Sequence, residues 1–267
     1  MPSAEINSPF EILANLPPPP IERLHIVLGV QCNIRCEFCY QNSFAPRDSL
    51  PEDVITSKIL PLLPKLKDLI LQGGEVTTMK NGHKMRDYIL QNNFALKPTF
   101  LTNGILLDER WIDMALKQEG TVHVSINASN RQLYDKTTKY GDFDRVIKNI
   151  RRLMQLKKER QGIGLRIMAS FVVHENNMWD IYDFFRVFQE IGIDHITYYM
   201  DARRRIDKYP DFLFKLSDAD LAKYWALVRS TIECIKRDNR YNATELPYIA
   251  SLLDSLQAER TAKGLAA

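Results

Sequence analysis

Short apolar runs alternate with longer segments of helical periodicity along most of this chain. Runs rich in Leu, Ile and Val are typical of buried strands in a parallel sheet, and apolar stripes at helical spacing are typical of the helices that cover it. The runs predict six strands, at residues 24–30, 68–72, 98–102, 121–126, 164–173 and 195–199. The stripes predict helices at residues 52–63, 85–91, 108–117, 143–159, 178–191, 216–237 and 246–263.

This β/α alternation predicts an α/β fold with parallel strands joined by right-handed crossovers. An open doubly wound sheet and a whole or partial barrel share this order, and six units are too few for a full eight-stranded barrel. We expect a proline-rich arm at residues 1–20, the sheet domain at 21–210 and a C-terminal helical extension at 211–267. In either architecture, ligands bind at the carboxyl ends of the strands.

Composition narrows the function classes. Of the 267 residues, 45% are hydrophobic, which is enough for one sizeable core. A net charge of +3 is too small to indicate a nucleic-acid-binding protein. We find no apolar run long enough to span a membrane and no secretory signal at the N-terminus. With four cysteines, three of them clustered, we expect a reducing cytoplasm rather than a disulfide scaffold.

The clustered cysteines are Cys32, Cys36 and Cys39, which follow the first strand with C-x3-C-x2-C spacing. Cysteine thiolates are the usual ligands of cubane iron–sulfur clusters, which normally take four of them. Three thiolates leave one iron open, and an open position separates a reactive metal centre from a structural one. Half of a zinc site, a redox-sensing group and chance are the alternatives. A zinc site needs a fourth ligand at a partner spacing, and neither Cys234 nor the scattered histidines provide one.

Further polar residues follow the next three predicted strands. They are Gly73-Gly74-Glu75 after the second, Asn103 after the third and Asn127 after the fourth. A lone Gly-Gly-Glu is more simply a turn. Together with the cysteines at the same rim, these residues are hard to explain by packing, and they favour a shared ligand site.

The cysteine run with Tyr40, Gly73-Gly74-Glu75 and residues 101–104 resembles the radical S-adenosylmethionine (radical SAM) superfamily over roughly residues 22–200. The resemblance implies a partial (β/α)6 barrel and a [4Fe–4S] cluster on Cys32, Cys36 and Cys39. SAM would bind the open iron through its amino and carboxylate groups. An electron from the cluster would cleave SAM, and the 5′-deoxyadenosyl radical would abstract hydrogen from a substrate. Such chemistry needs a closed, dry site, and a reductant such as flavodoxin or ferredoxin.

The resemblance also implies contacts to SAM at residues that match the family's motif positions. Glycines let the backbone approach a ligand closely, and residues two apart on a strand share one face. The implied adenine neighbours are Phe38 and Tyr40, those of the methionine are Gly73, Gly74 and Glu75, and those of the ribose or carboxylate are Ser125 and Asn127. Thr102 and Asn103 are expected to line the same cavity.

Alternation in the fifth predicted strand places Arg166, Met168 and Ser170 on one face, which we take as the barrel interior. An interior arginine needs an anion, and the SAM carboxylate or a substrate acid would provide one. The alternative for Arg166 is a salt bridge at the lower end of the barrel, because Arg166 comes early in the strand.

Two residues are candidates for a catalytic role. Alternation directs Tyr198 or Tyr199 into the cavity, and we consider Tyr199 as a substrate contact or hydrogen-atom relay, with packing as the simpler interpretation. Cys234 would have to donate a hydrogen atom to a substrate radical. Its amphipathic surroundings favour a buried structural cysteine.

The substrate is left open. Residues 124–127, 141–144 and 170–173 resemble radical SAM enzymes with a SPASM extension, many of which modify ribosomally made peptides. That extension binds auxiliary clusters through several more cysteines, and only Cys234 remains here. The protein is therefore naturally short or the chain ends before the extension. A peptide competes as substrate with a nucleoside, sugar or other small metabolite. A non-catalytic iron–sulfur protein that transfers electrons or acts as a scaffold is the alternative of another class.

Overall fold

A six-stranded parallel sheet forms the centre of the computed structural model, which describes residues 20–43, 49–92, 94–201, 205–206, 209–238, 240–241 and 244–262. Its strands are β1 (Arg23–Val27), β2 (Asp68–Gln72), β3 (Lys97–Thr102), β4 (Thr121–Ser125), β5 (Arg166–Val173) and β6 (His195–Met200). They pair in chain order, so β1 and β6 are the two edges of an open, partial barrel. The expected α/β fold is confirmed. Of the predicted proline-rich arm, residues 1–19 lie outside the described residues.

Seven helices accompany the sheet in the described part of the chain, besides several shorter segments. They are α1 (Lys80–Gln91), α2 (Glu109–Lys117), α3 (Arg131–Thr137), α4 (Phe143–Glu159), α5 (Ile181–Ile191), α6 (Asp218–Asp238) and α7 (Leu246–Ala262). Shorter helical turns lie at Tyr40–Ser43, Val76–Thr78, Met178–Asp180 and Asp211–Phe214. Two-residue strands pair Arg35–Cys36 with Thr138–Lys139, and Arg205–Ile206 with Tyr209–Pro210.

Short polar side chains set where several helices begin. Asp108, Asn130 and Asp142 precede α2, α3 and α4, and each accepts a hydrogen bond at 3.0 Å from a backbone N–H in the first turn. Such caps satisfy donors that have no partner within the helix. The predicted start of α2 at Asp108 therefore corresponds to a cap at its first turn.

The segment predicted as one helix at 52–63 is irregular. It begins as an α-helix at Glu52–Val54, continues as a π-helix at Ile55–Ile59 and ends as a 3-10 helix at Leu60–Lys65. Pro61 and Pro64 have no N–H to donate and their rings clash with the preceding turn, so the α-helical ladder cannot continue through them. The apolar periodicity correctly indicates a helical segment, but the prolines change its geometry.

The two faces of the sheet differ as strand alternation requires. One face packs beneath the helices and carries fully buried apolar side chains, namely Leu69, Leu71, Phe100, Val122 and Val124. The other face is concave and carries mixed residues that include Gln72, Leu101, His123, Ser125 and Ser170. The helices therefore enclose the hydrophobic core on the convex side, and the concave side is left for a ligand.

The C-terminal residues cover the β6 edge of the sheet. The backbone N–H of Tyr198 donates to the Thr244 hydroxyl at 2.6 Å, and that of Met200 donates to the Glu245 carboxylate at 2.9 Å. An edge strand otherwise exposes unpaired N–H groups to other chains. The helices that flank Thr244 and Glu245, α6 and α7, pack on one another, and α6 packs on α5. None of the helices described here combines the length and apolarity that crossing a membrane requires.

Candidate active site

A cavity of about 680 Å³ opens at the carboxyl ends of the strands. Most of the residues singled out from the sequence contribute to its wall. Those that line it are Cys32, Cys36, Phe38, Cys39, Tyr40, Gly73, Gly74, Thr102, Asn103, Ser125, Ser170 and Tyr199. The expectation that chemistry gathers at one rim therefore agrees with the tertiary structure.

The three cysteines are partly buried and form no disulfide. Burial, together with the negative charges of Cys39 and Cys32, raises the pKa of the Cys36 thiol to about 12. Burial is also the main reason why the pKa of Cys32 is raised. Three thiolates held this close repel one another, so their ionised form needs a cation beside it.

The cysteine loop is fixed by the end of α3. Cys36 pairs with Thr138 in a two-residue antiparallel ladder, and the N–H of Glu37 donates to Thr137 at 2.9 Å. On the other side, the Asn103 amide nitrogen lies 3.9 Å from the sulfur of Cys32. These contacts hold two of the three thiols against rigid elements.

This donor set fits an iron–sulfur cluster. Each thiol would take one iron of a cubane, and the positive irons would offset the repulsion between the thiolates. A cubane spreads its ligands over several metal ions. No three His, Cys, Asp or Glu side chains within the described ranges converge on the position of a single metal ion.

Gly73 and Gly74 line the cavity, and the structure also shows why neither position can carry a side chain without a clash. A Cβ on Gly74 would lie 2.2 Å from the carbonyl oxygen of Gln31, and one on Gly73 would lie 2.8 Å from that of Gly29. The N–H of Gly74 donates to Gly29 at 2.9 Å. The glycines therefore allow the loop after β2 to lie against the loop after β1, which leads to Cys32.

The structure corrects the expected role of Glu75. Its side chain is fully buried and is not part of the cavity wall. The carboxylate accepts hydrogen bonds from the N–H and hydroxyl of Thr77 at 3.1 and 2.7 Å, from the Thr102 hydroxyl at 2.8 Å and from the N–H of Asn103 at 2.5 Å. Burial raises the pKa of Glu75, and these hydrogen bonds oppose the rise. Glu75 fixes the loops beneath the cavity rather than facing a ligand.

We expect Glu75→Ala to lower the free energy of unfolding by about 3 kcal/mol or more, because it leaves several buried donors without an acceptor. Glu75→Gln should cost less, since its carbonyl oxygen still accepts and only its amide group opposes a donor. Denaturant titration of both variants measures the effect. Glu52→Ala is the control, because Glu52 is an exposed acid paired with Lys84, and it should leave stability nearly unchanged. Equal losses in Glu75→Ala and Glu52→Ala would contradict this role of Glu75.

Asn127 also lies outside the cavity wall. β4 ends at Ser125, and Asn127 adopts a left-handed conformation with φ of 60°. Its side chain accepts from the N–H of Val172 at 2.7 Å and donates to the Ser125 hydroxyl at 3.1 Å. The strand ends one residue before the predicted end at 126 and the chain turns there. Asn127 therefore joins the ends of β4 and β5, and Ser125 is the member of the pair that lines the cavity.

Arg166 and Cys234 are likewise placed away from the cavity. Arg166 is exposed as the first residue of β5, where it pairs with Thr121. It lies four residues before Ser170, or about 13 Å along the strand. Alternation predicts the face of the strand on which a side chain lies but not its position along the strand, and Arg166 lies at the start of β5, away from the cavity wall. Cys234 lies on α6 with its sulfur 3.4 Å from the Arg237 guanidinium.

The aromatic candidates lie at the mouth and wall of the cavity. Phe38 is buried and stacks on His174 with ring centroids 4.7 Å apart. Tyr40 is more than half exposed at the mouth. Tyr199 faces the cavity, whereas Tyr198 points into the core and donates to the carbonyl of Ile181 at 2.9 Å. These positions give the cavity an apolar wall and leave the hydroxyl of Tyr199 available at its rim.

The cavity wall also includes polar residues that no sequence motif indicated, among them His123 and Gln72. His123 is buried in the wall, and its Nε2 has no hydrogen-bond partner within the described residues. Burial lowers the pKa of His123 to about 4, so the ring is neutral at pH 7. Gln72 lies at the end of β2 and contacts His25 at 2.6 Å. His123 precedes Ser125 by two residues, so strand alternation was the signal that identifies it.

Residues 26–188, more than half of the chain, match the family model described as the Radical SAM superfamily. The chain belongs to the radical SAM superfamily. The resemblance seen in the cysteine, glycine and asparagine motifs is thereby confirmed. Members of this superfamily use a [4Fe–4S] cluster and SAM, and the residues around the cavity fit both.

Several curated proteins and solved structures are similar to parts of this chain. A probable GTP 3',8-cyclase of Saccharolobus islandicus is 26% identical over 66% of the chain and 56% of its own length. The antilisterial bacteriocin subtilosin biosynthesis protein AlbA of Bacillus subtilis is 27% identical over 63% of the chain and 37% of its own length. Native anSMEcpe with bound AdoMet and Cp18Cys peptide has a TM-score of 0.61 at 18% identity, covering 85% of the chain and 64% of that structure. The chain thus spans roughly half of these curated relatives.

Proposed function

We propose that this chain is a radical SAM enzyme that cleaves SAM reductively at a single [4Fe–4S] cluster. The observation that supports this most directly is the shared cavity. The cysteine loop after β1, the glycines after β2, Thr102 and Asn103 at the end of β3, and the serines of β4 and β5 all line it. An electron carrier normally encloses its cluster with four thiolates, and it has no need for a ligand-sized cavity beside three of them.

Different residues around the cavity would hold the cluster and SAM. When bound and reduced, the cluster would supply the electron for cleavage of the C5′–S bond of SAM, which would initiate hydrogen abstraction from the substrate. Cys32, Cys36 and Cys39 hold the cluster, and the backbone at Gly73 and Gly74 lies open to the methionine end of SAM. Ser125 and Ser170 are adjacent across β4 and β5 and offer hydroxyls to SAM. Phe38 and its apolar neighbours exclude water from the radical.

Anaerobic reconstitution with iron and sulfide, followed by dithionite and SAM, tests this proposal. We expect a brown protein that forms 5′-deoxyadenosine and methionine in equal amounts. The same protein without dithionite serves as the control, because SAM cleavage requires the electron. An intact cluster that yields no 5′-deoxyadenosine would favour the electron-transfer or scaffold alternative.

For the substrate, we propose a peptide. The similar anSMEcpe structure contains a bound peptide, and AlbA is named for the biosynthesis of a bacteriocin. The cavity wall carries Ile34, Leu101, Val172 and Met200, which suit a side chain more than a phosphate. The similarity to a probable GTP 3',8-cyclase favours a nucleotide as the second candidate.

Deuterium transfer distinguishes these substrates. The reduced enzyme is incubated with SAM and either fully deuterated GTP or a fully deuterated peptide. A peptide substrate should transfer deuterium into 5′-deoxyadenosine and change its own mass. Turnover with GTP and none with peptide would overturn the peptide assignment while leaving SAM cleavage intact.

The electron donor and the compartment follow from the same chemistry. We propose a flavodoxin or ferredoxin as the reductant, since the cluster needs a one-electron donor of low potential. A reducing cytoplasm would preserve both the cluster and the reduced thiols of the chain.

A further inference from the structure

We propose that the hydroxyl of Tyr134 donates a hydrogen bond to sulfur of the bound cluster and thereby raises its reduction potential. This inference rests on the proposed function, because it assumes that the cysteine loop holds a [4Fe–4S] cluster. It assigns a role to a residue that is not part of the cavity wall and that lies on α3, next to the short strand that pairs with the cysteine loop. The role is positioning and tuning of the cluster rather than contact with SAM.

Tyr134 is a buried tyrosine whose hydroxyl lacks a partner. Its side chain is 1% exposed, and the hydroxyl makes no hydrogen bond to any residue that the structure describes. A buried hydroxyl without a partner costs about 1–3 kcal/mol. Beside the cysteine loop, an acceptor on a bound cluster would satisfy this donor and remove the cost.

The backbone connects Tyr134 directly to Cys36. Tyr134 lies on α3, and its carbonyl accepts from the N–H of Thr138, the residue that closes the helix. Thr138 pairs in turn with Cys36 in the two-residue ladder. Tyr134 therefore lies one helical turn from the strand residue that holds a cluster ligand.

The ring of Tyr134 lies beside Thr138, whose side chain hydrogen-bonds the Cys36 thiol. A Cβ on Gly141 would lie 3.0 Å from both Cζ of Tyr134 and Cγ2 of Thr138. Burial raises the pKa of Tyr134, and among nearby charges that of Cys36 contributes most, with Asp142, Cys32 and Asp135 following. A neutral phenol is a hydrogen-bond donor. Thiolate and sulfide sulfurs carry the negative charge of a cluster, and hydrogen bonds to them are among the factors that set its potential.

The ring of Tyr134 is held tightly enough to aim its hydroxyl. A Cβ on Gly141 would lie 2.4 Å from Cε1 of Tyr134, so the ring occupies the space that a side chain at 141 would fill. Phe143 packs on the same ring with centroids 5.7 Å apart. These contacts restrict the motion of the ring and so limit the directions that its hydroxyl can take.

A hydrogen bond to cluster sulfur stabilises the more negative, reduced state more than the oxidised state. Removing it should make reduction harder. We expect Tyr134→Phe to lower the equilibrium constant for one-electron reduction about tenfold, which corresponds to about 59 mV. The ring of phenylalanine keeps the packing against Gly141 and Phe143, so this change isolates the hydroxyl.

The structure offers a matched control in Tyr224. It is also fully buried, and its hydroxyl also has no hydrogen-bond partner within the described residues. It lies on α6 beside Trp179, and burial is the only cause that raises its pKa. Tyr224→Phe removes the same atom away from the cysteines and should leave the potential unchanged.

The test uses the reconstituted full chain as wild type, Tyr134→Phe and Tyr224→Phe, with the midpoint potential measured by redox titration followed by electron paramagnetic resonance. A ring-fluorinated tyrosine at position 134 retains the hydroxyl as a stronger donor and should shift the potential upward. Opposite shifts in these two variants, with Tyr224→Phe unchanged, support the proposal. An unchanged potential in Tyr134→Phe or in the fluorinated protein, or equal shifts in Tyr134→Phe and Tyr224→Phe, would overturn it. A wild-type chain that binds no cluster would instead overturn the proposed function, and this inference with it.

Discussion

Cys36→Ala should abolish both cluster assembly and the formation of 5′-deoxyadenosine. Cys36 is the most constrained of the three thiols, since it lies in the ladder with Thr138 and lines the cavity. Its loss leaves two thiolates for a cubane that needs protein ligands on three irons. Iron content after anaerobic reconstitution should fall from about four per chain to well below one. The visible absorption of the cluster should disappear with it.

Cys234→Ala is the matched control for this experiment. Cys234 also forms no disulfide, but it lies on α6 and is not part of the cavity wall. Its replacement should retain iron content, absorption and SAM cleavage. A Cys36→Ala protein that keeps a full cluster, or a Cys234→Ala protein that loses it, would contradict the assignment of ligands.

Gly74→Ala should disrupt the cavity by steric conflict. Its Cβ would meet backbone atoms of Gln31 and Val30 at 2.2 to 2.6 Å, and backbone cannot turn aside as a flexible side chain does. Overpacking of this kind costs about 3 kcal/mol. The loop that bears Cys32 must then move, so we expect SAM affinity to fall by about tenfold or more, which corresponds to about 1.4 kcal/mol of binding free energy.

Gly192→Ala separates steric conflict from backbone strain. Gly192 ends α5 with φ of 82° and has open space where a Cβ would be. Alanine there should lower the free energy of unfolding by about 1 kcal/mol through its left-handed conformation alone. SAM binding, measured by calorimetry on the reconstituted proteins, should be unchanged in Gly192→Ala. Unaltered SAM binding in Gly74→Ala would show that the two loops need not be in contact.

Much of the fold was predictable because strands and helices have different periods. The six apolar runs fixed the order of the strands, and parallel strands with short loops necessarily bring their carboxyl ends to one rim. The cysteine spacing identified a cluster motif because thiolates have few other roles at that density. Pro61 and Pro64 also carry information, because a proline removes a backbone donor and a regular α-helix cannot continue through residues 52–65.

The sequence by itself determined that six strands would bring Cys32, Cys36, Cys39, Gly73 and Gly74 to one rim, and that these residues suit an iron–sulfur cluster. Only the tertiary structure decided which polar side chains face the cavity and which are satisfied by the protein. Glu75 and Asn127 belong to the second group because their hydrogen-bond partners come from loops far away in sequence. Arg166 lies away from the cavity because it is the first residue of β5, and periodicity does not give the position of a side chain along a strand. The role proposed for Tyr134 rests on its burial and its unpaired hydroxyl, and both are properties of the packed structure.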